Sequence, residues 1–319
     1  MHALRRRLTP ALLGLAAAAA AGSPPDHVTV QLNWVPEPEF GGIYAAQREG
    51  IFARHGLDVE ILKGGPDVPA VQMAAAGRVT FGLAAADEVA SLREKGADVV
   101  AIYATFQTNP QGIMVRASRP VESIEQLLAA GGTLIAQPGL SYLKWLQHRY
   151  DLSRIRIVPY GSGAMAQFLD DSRTDVAMQC FVTAEPLAAR REGVDAKVFL
   201  VAQTGFDPYA AVVVTRGTTL RERRDLCVRF VAALREGWLA YLADPAPTNV
   251  FMARLNTAMD LATFAAAAAA QRPLLESPDT AAHGLGAMSG ARWEALVGQL
   301  LTLGVIDSPV PAAACFTNL

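Results

Sequence analysis

Along the first two-thirds of the chain, short apolar runs alternate with longer stretches in which apolar residues recur at helical spacing. Residues 28–33, 58–62, 81–85 and 99–105 are bounded by turn-forming residues and are predicted as strands. Residues 43–55, 68–76 and 87–95, which lie between them, carry the helical period. Strand, glycine-containing turn and helix, repeated in that order, predict a parallel sheet wrapped by helices, the pattern of an α/β fold. After 111–116 the alternation restarts. Helices are predicted at 123–129, 140–150 and 164–170, with strands at 133–136, 155–159 and 176–180, which gives a second, smaller sheet. The last strand-like runs are 197–202 and 210–215. Beyond Thr218 the pattern is helical, including 224–242 and the alanine run 265–270, and this tail is expected to pack on the first sheet.

Residues 105–112 and 203–209 have no regular helical period and each lies between strand-like runs, so they are the predicted crossings between two α/β lobes. Two such crossings make a hinge. On this division residues 1–22 are a leader, 23–108 and 207–319 form one lobe, and 109–206 form the other. A hinged pair of α/β lobes buries a small ligand between its strand ends, where closure excludes water.

The segment Leu32-Asn33-Trp34-Val35-Pro36-Glu37-Pro38-Glu39-Phe40-Gly41-Gly42 joins an apolar strand to a helix through an aromatic, proline-punctuated turn. Loops at strand ends are where α/β sheets hold ligands, so Trp34 and Phe40 are candidate cleft walls; the alternative is that each plugs the core beneath the loop. The chain continues with Gly50-Ile51-Phe52-Ala53-Arg54-His55-Gly56-Leu57-Asp58-Val59-Glu60. With Ala76-Gly77-Arg78-Val79-Thr80-Phe81-Gly82-Leu83-Ala84 and Glu185-Pro186-Leu187-Ala188-Ala189, this pattern resembles the solute-binding proteins of thiamine-pyrimidine-precursor and alkanesulfonate ABC transporters. The resemblance implies a type II periplasmic binding protein fold, a small-molecule ligand, and an ABC permease and ATPase as partners. It also makes Glu185 the position that anchors an aminopyrimidine, although the family's Asn-Glu is here Ala184-Glu185.

Physical reasoning adds further candidates. Ala86 and Asp87 follow a strand end, where a helix start exposes backbone N–H groups, with Asp87 expected as the cap or as a ligand contact. Ser141 and Tyr142 follow Gly139 and make the equivalent element of the second lobe, and Gly161-Ser162-Gly163 is a third such turn. A carboxylate at Glu185 can accept hydrogen bonds from an amino-substituted ring while aromatic faces sandwich it; the alternative is ordinary helix N-terminal charge. Tyr209, with Phe206 beside it, is a further candidate cleft aromatic.

Composition narrows the class. The chain has 319 residues, about half of them hydrophobic, which is ample for two lobes. Arg5, Arg6 and Arg7, the apolar stretch 12–21 and the small residues after it read as an export signal for the general secretory route. That stretch is shorter than the roughly 20 residues a bilayer needs. No cysteine follows the leader to carry a lipid, so the expected location is the periplasm. Formal net charge is −2, and without the leader's three arginines 25 basic face 30 acidic side chains, so neither nucleic acid nor anionic lipid is an expected partner.

Cys180, Cys227 and Cys315 have no metal-type spacing, and the five histidines, His2, His27, His55, His148 and His283, are scattered. No metal and no cofactor are expected. The resemblance extends to the fungal pyrimidine-precursor synthase. Where that enzyme would want a lysine for pyridoxal phosphate there is Ala84, and where it would want the substrate histidine there is Glu88. Schiff-base chemistry needs the amine. The expectation is therefore a monomeric binding protein without turnover; flavin, alkanesulfonate, nitrate-like anion or aromatic acid are the alternative ligands.

Overall fold

The computed structural model describes residues 24–65 and 67–319, so the leader read at 1–22 lies outside the described residues. The strands are β1 (Asp26–Gln31), β2 (Leu57–Leu62), β3 (Phe81–Ala84), β4 (Val99–Phe106), β5 (Gln111–Arg116), β6 (Gly132–Ala136), β7 (Ile155–Pro159), β8 (Val176–Phe181), β9 (Ala196–Leu200) and β10 (Ala210–Arg216). They form two five-stranded sheets, in the orders β2-β1-β3-β10-β4 and β7-β6-β8-β5-β9.

Neither sheet is purely parallel, and the second is not smaller in strand number. In the first, β1 runs parallel to β2 and β3, whereas β10 runs antiparallel to β3 and β4. In the second, β5 runs antiparallel to β8 and β9. The exchange of chain between sheets is the physical reason. β4 leaves the first sheet at its hinge end and β10 re-enters there, so β10 must run back the other way; β5 and β9 stand in the same relation in the second. A period analysis reads each strand by itself and does not see where its neighbour comes from.

Two local readings also change. The helix expected over 43–55 is two helices, Gly41–Arg48 and Ile51–Arg54, because Gly50 turns to a φ of 65° between them. The strand expected to reach residue 202 ends at Leu200 and passes into a 3-10 turn, Val201–Thr204.

The C-terminal helices pack mainly on the first sheet. Helix Arg224–Ala243 lies along Gly41–Arg48, and a Cβ on Gly41 or Gly42 would overlap the ring of Tyr241 or Trp238. Those two glycines therefore serve a close helix–helix approach. They do not shape a crevice. Beneath this contact Phe230 stacks on Phe81 at 3.9 Å and on Phe52 at 5.5 Å.

The crossings are stapled to each other and to the C-terminal helix Gly290–Thr302. Asn109 donates its backbone N–H to Asp207 Oδ1 (2.8 Å) and its side-chain amide to Pro208 O (2.9 Å). Arg292 donates Nε to Asp207 O (2.7 Å), pairs with the Asp207 carboxylate at 3.0 Å, and reaches Gln107 O with Nη1. Its guanidinium lies 4.0 Å from the centre of the Tyr209 ring, and Ser289 N–H donates to the Tyr209 hydroxyl.

Candidate functional site

The first lobe's wall begins where β1 ends. Pro36 and Pro38 have no N–H to donate, and their carbonyls are held from behind by two buried amides: Asn256 Nδ2 donates to Pro36 O (3.1 Å) and Gln271 Nε2 to Pro38 O (2.9 Å). Phe40 N–H donates to Glu37 O (2.9 Å) and closes a 3-10 turn, Pro38–Phe40. This fixed loop leaves Trp34 40% exposed, with its indole near the Glu37 carboxylate. Phe40 has no exposed surface and sits in the first lobe's core, so it props the loop instead of offering a face.

At the end of β3 the helix Ala86–Glu94 is capped otherwise than expected. Ala85 is the N-cap, and its N–H is taken by Glu88 Oε2 (2.8 Å), three residues on. Asp87 lies inside the first turn; burial raises its carboxyl, and the nearby Ser141 hydroxyl of the other lobe opposes the rise. Nor is the Ala86 N–H free: it donates to Tyr209 O (3.0 Å). Tyr209 is 1% exposed and belongs to the hinge staple, and Phe206 stacks on Trp145 at 5.8 Å in the core. Both were candidate cleft aromatics; the crossing segments that carry them are covered by the C-terminal helix, which turns their rings inward.

On the second lobe, Ser141 and Tyr142 start the helix Ser141–Arg149. The Tyr142 hydroxyl donates to Gln179 Oε1 (3.1 Å), which also accepts Gln137 N–H (2.6 Å). Glu185 is the first residue of helix Glu185–Arg191, with Pro186 next to it. Its carboxylate accepts Phe181 N–H at 2.8 Å and the Tyr160 hydroxyl at 3.3 Å. Tyr160, 37% exposed, was missed from sequence. Its position just past β7, beside Gly161-Ser162-Gly163, was the available signal.

Glu37 and Glu39 were also missed as functional groups, although the run Pro36-Glu37-Pro38-Glu39 beside Trp34 carries them in plain sight. They come within electrostatic reach of Glu185 across the cleft. Burial and then the Glu185 charge push the Glu37 carboxyl up to about 7. Burial, then Glu37 and Glu185, hold Glu39 well above the usual carboxylate range, and burial raises Glu185 against its hydrogen bonds. Burial likewise raises the Tyr142 and Tyr160 hydroxyls, with Glu185 adding to both. Among the described residues no Lys, Arg or His pairs with Glu37, Glu39, Asp87, Glu88 or Glu185. A cavity of ≈ 230 Å³ opens at the ends of β1 and β3, lined by Asn33, Asp67, Val68, Gln72, Leu83 and Glu88. Thus Glu37 lies between Trp34 and Glu185, Tyr142 is 5% exposed in the core with its hydroxyl on Gln179, Asp87 faces Ser141 near the end of β3, Ala86 contributes backbone already in use, Phe40 and Tyr209 stand behind, and none of these residues lines that cavity.

The family model described as NMT1/THI5 like matches residues 37–248, from the glutamate loop of the first lobe, through the whole second lobe, to the C-terminal helices. The chain belongs to the NMT1/THI5-like family. Among relatives of this family member are the riboflavin-binding protein RibY of Chloroflexus aurantiacus, 23% identical over 97% of this chain and 90% of the relative, and the formylaminopyrimidine-binding protein of Halalkalibacterium halodurans, 23% identical over 92% and 90%. The 4-amino-5-hydroxymethyl-2-methylpyrimidine phosphate synthase THI5 of Saccharomyces cerevisiae is 22% identical over 69% of this chain and 68% of its own. The fold is that of the periplasmic aliphatic sulphonate binding protein SsuA from Escherichia coli, with a TM-score of 0.70 over 92% of this chain and 94% of that one at 12% identity. In this NMT1/THI5-like chain Ala84 is buried at the end of β3, and Glu88 is occupied with the Ala85 N–H. Neither supplies an amine or imidazole. The three cysteines, Cys180, Cys227 and Cys315, are buried and free, and no metal-type cluster occurs among the described residues.

Proposed function

We propose that this protein is the extracytoplasmic substrate-binding component of an ABC importer, and that its interlobe cleft binds a small, flat heteroaromatic amine of the thiamine-pyrimidine-precursor kind. The observation that carries the reading is Glu185: a carboxylate fixed by Phe181 N–H and the Tyr160 hydroxyl, near Glu37 of the loop that carries Trp34, with no cation paired to it. Such a group accepts N–H donors from an amino-substituted ring, while exposed faces of Trp34 and Tyr160 cover the ring. A sulfonate would face Glu37, Glu39 and Glu185 with no Arg or Lys to stabilise it, so the SsuA-like fold is here fitted to a different ligand charge.

In this reading the protein is a periplasmic monomer, delivered by the leader and handed to a permease and ATPase, and it does not turn its ligand over. No helix among the described residues is long and apolar enough to cross a membrane. An isoalloxazine is the second reading, favoured by the RibY relative, since it too is a flat ring with an N–H donor. Calorimetry on 4-aminopyrimidines, flavins, alkanesulfonates and aromatic acids separates these, with small-angle scattering following closure. Aminopyrimidine binding with a fall in radius of gyration is expected. Binding of only the anions overturns the reading.

A further inference from the structure

Helix Leu261–Leu275 runs through the first lobe from the hinge to the second lobe. At its hinge end the Leu274 carbonyl accepts the N–H groups of Gln107 (2.7 Å) and Thr108 (3.0 Å) in the first crossing. One turn back, the Gln271 amide holds Pro38 O at 2.9 Å and ties the helix to the loop that carries Trp34. At the other end its N-cap, Asp260, meets Arg191 Nη1 of the second lobe at 3.3 Å. Arg191 closes helix Glu185–Arg191, whose first residue is the Glu185 carboxylate. A single ion pair therefore joins the helix behind the Trp34 loop to the helix that presents Glu185. Among the described residues it is the one ion pair that joins the lobes outside the Arg292 staple.

The carboxylate is prepared for its partner. Asp260 Oδ1 accepts the Thr263 N–H at 2.8 Å and so orients the group, while Oδ2 is the oxygen that Arg191 meets. Arg190, next in the chain, pairs with Asp195 inside the second lobe and does not compete. Position gives the pair its leverage. A helix rises about 1.5 Å per residue, so Asp260 lies about 20 Å from the crossing held at Leu274. At that radius a hinge rotation of about 10° moves a point by about 3–4 Å, which separates a pair that meets at 3.3 Å. The pair therefore exists only with the lobes closed, and a contact made in one state alone shifts the balance toward that state.

We propose that Arg191 and Asp260 are positioning residues that form an electrostatic closure latch, holding Glu185 toward the Trp34 loop through their two helices. The inference rests on the hinge of the proposed function and not on its ligand. Both side chains are about half exposed, so the latch is weak and salt-sensitive, worth about two- to fivefold in the ratio of closed to open protein.

Double electron–electron resonance between nitroxides on Ala76→Cys in the first lobe and Ala166→Cys in the second, both exposed positions, reads that ratio without any ligand; the three native cysteines are buried. Asp260→Asn keeps an acceptor for the Thr263 N–H, since Asn caps as well as Asp, and removes the charge. At about 0.05 M salt this variant and Arg191→Gln should each lower the closed-to-open ratio by about two- to fivefold, the double variant by no more than either alone, and Arg191→Lys should stay near the native ratio. At about 1 M salt, where the Debye length falls to about 3 Å, native protein and variants should coincide. Single variants that match the native protein at low salt overturn the latch. So do additive effects of the two, an Arg191→Lys that behaves as Arg191→Gln, or a native ratio indifferent to salt. Failure of the hinge has a different signature, read from Arg292→Met, which frees the crossings directly. If that variant widens the distance distribution and the Arg191 and Asp260 variants do not, the hinge stands and the latch falls. If no variant widens it at either salt, the lobes are rigid and both fall.

Discussion

Arg292 offers the most direct test of how the lobes are joined. Its guanidinium donates to Asp207 O and Gln107 O, pairs with the Asp207 carboxylate at 3.0 Å, and covers the Tyr209 ring. Arg292→Met keeps much of the side-chain volume and removes all four contacts. Breaking a buried ion pair by deleting one partner costs about 3–5 kcal/mol. Here the side chains are 22% and 34% exposed, so solvent screens part of that, and about 2–4 kcal/mol is the expected loss. The variant should also respond to pH. Burial raises the Asp207 carboxyl above its usual value, while Arg292 and the Asn109 N–H oppose the rise. Without Arg292 the folded-state value climbs further above the unfolded one. A folded state that holds the proton more tightly loses stability as pH rises through the window between the two values. The deficit should therefore be larger at pH 8 than at pH 4.5. Urea unfolding followed by far-ultraviolet circular dichroism and tryptophan fluorescence measures it, with coincident transitions as the check on two-state behaviour. A deficit below about 0.5 kcal/mol, the range of an ordinary surface substitution, or one that is equal at the two pH values, refutes the staple.

Glu185→Gln should weaken aminopyrimidine binding by about 1.5–3 kcal/mol in calorimetry, the worth of a hydrogen bond to a charged group. Unchanged affinity would reduce this glutamate to a helix-start charge. Trp34→Ala should cost at least about 0.5–1.5 kcal/mol of affinity with little change in unfolding. Phe40→Ala should do the reverse and cost about 3–5 kcal/mol of stability, because its ring is wholly in the core; a large affinity loss at unchanged stability would put Phe40 back in the cleft. Gln271→Leu leaves the Pro38 carbonyl without its donor and should cost about 1–3 kcal/mol in unfolding while loosening the loop that carries Glu37 and Glu39. Glu37, raised to about 7 from 4.5, binds its proton more tightly when folded, so stability without ligand should fall as pH rises through that interval. Glu37→Gln should flatten that slope, as read by thermal unfolding across pH.

The sequence by itself determined the order of elements, because the apolar period is a local property: most strands and helices fall within a residue or two of where their spacing places them, and the two aperiodic crossings are where the chain changes sheet. The places of Trp34, Ser141, Tyr142 and Glu185 at strand or helix ends were legible for the same reason. Only the tertiary structure decided strand direction within each sheet, since β10 owes its antiparallel course to re-entering beside β4. It alone sorted the aromatics. Phe40 and Tyr209 resemble Trp34 in sequence, yet helices from the far end of the chain close over them, and Tyr142 is buried as well, at 5% exposed. The same distant helices turned Gly41 and Gly42 from turn residues into a packing contact, and hold the loop of Glu37 and Glu39 within electrostatic reach of Glu185. Charge proximity across two lobes arises from folding in three dimensions, and no spacing along one chain records it.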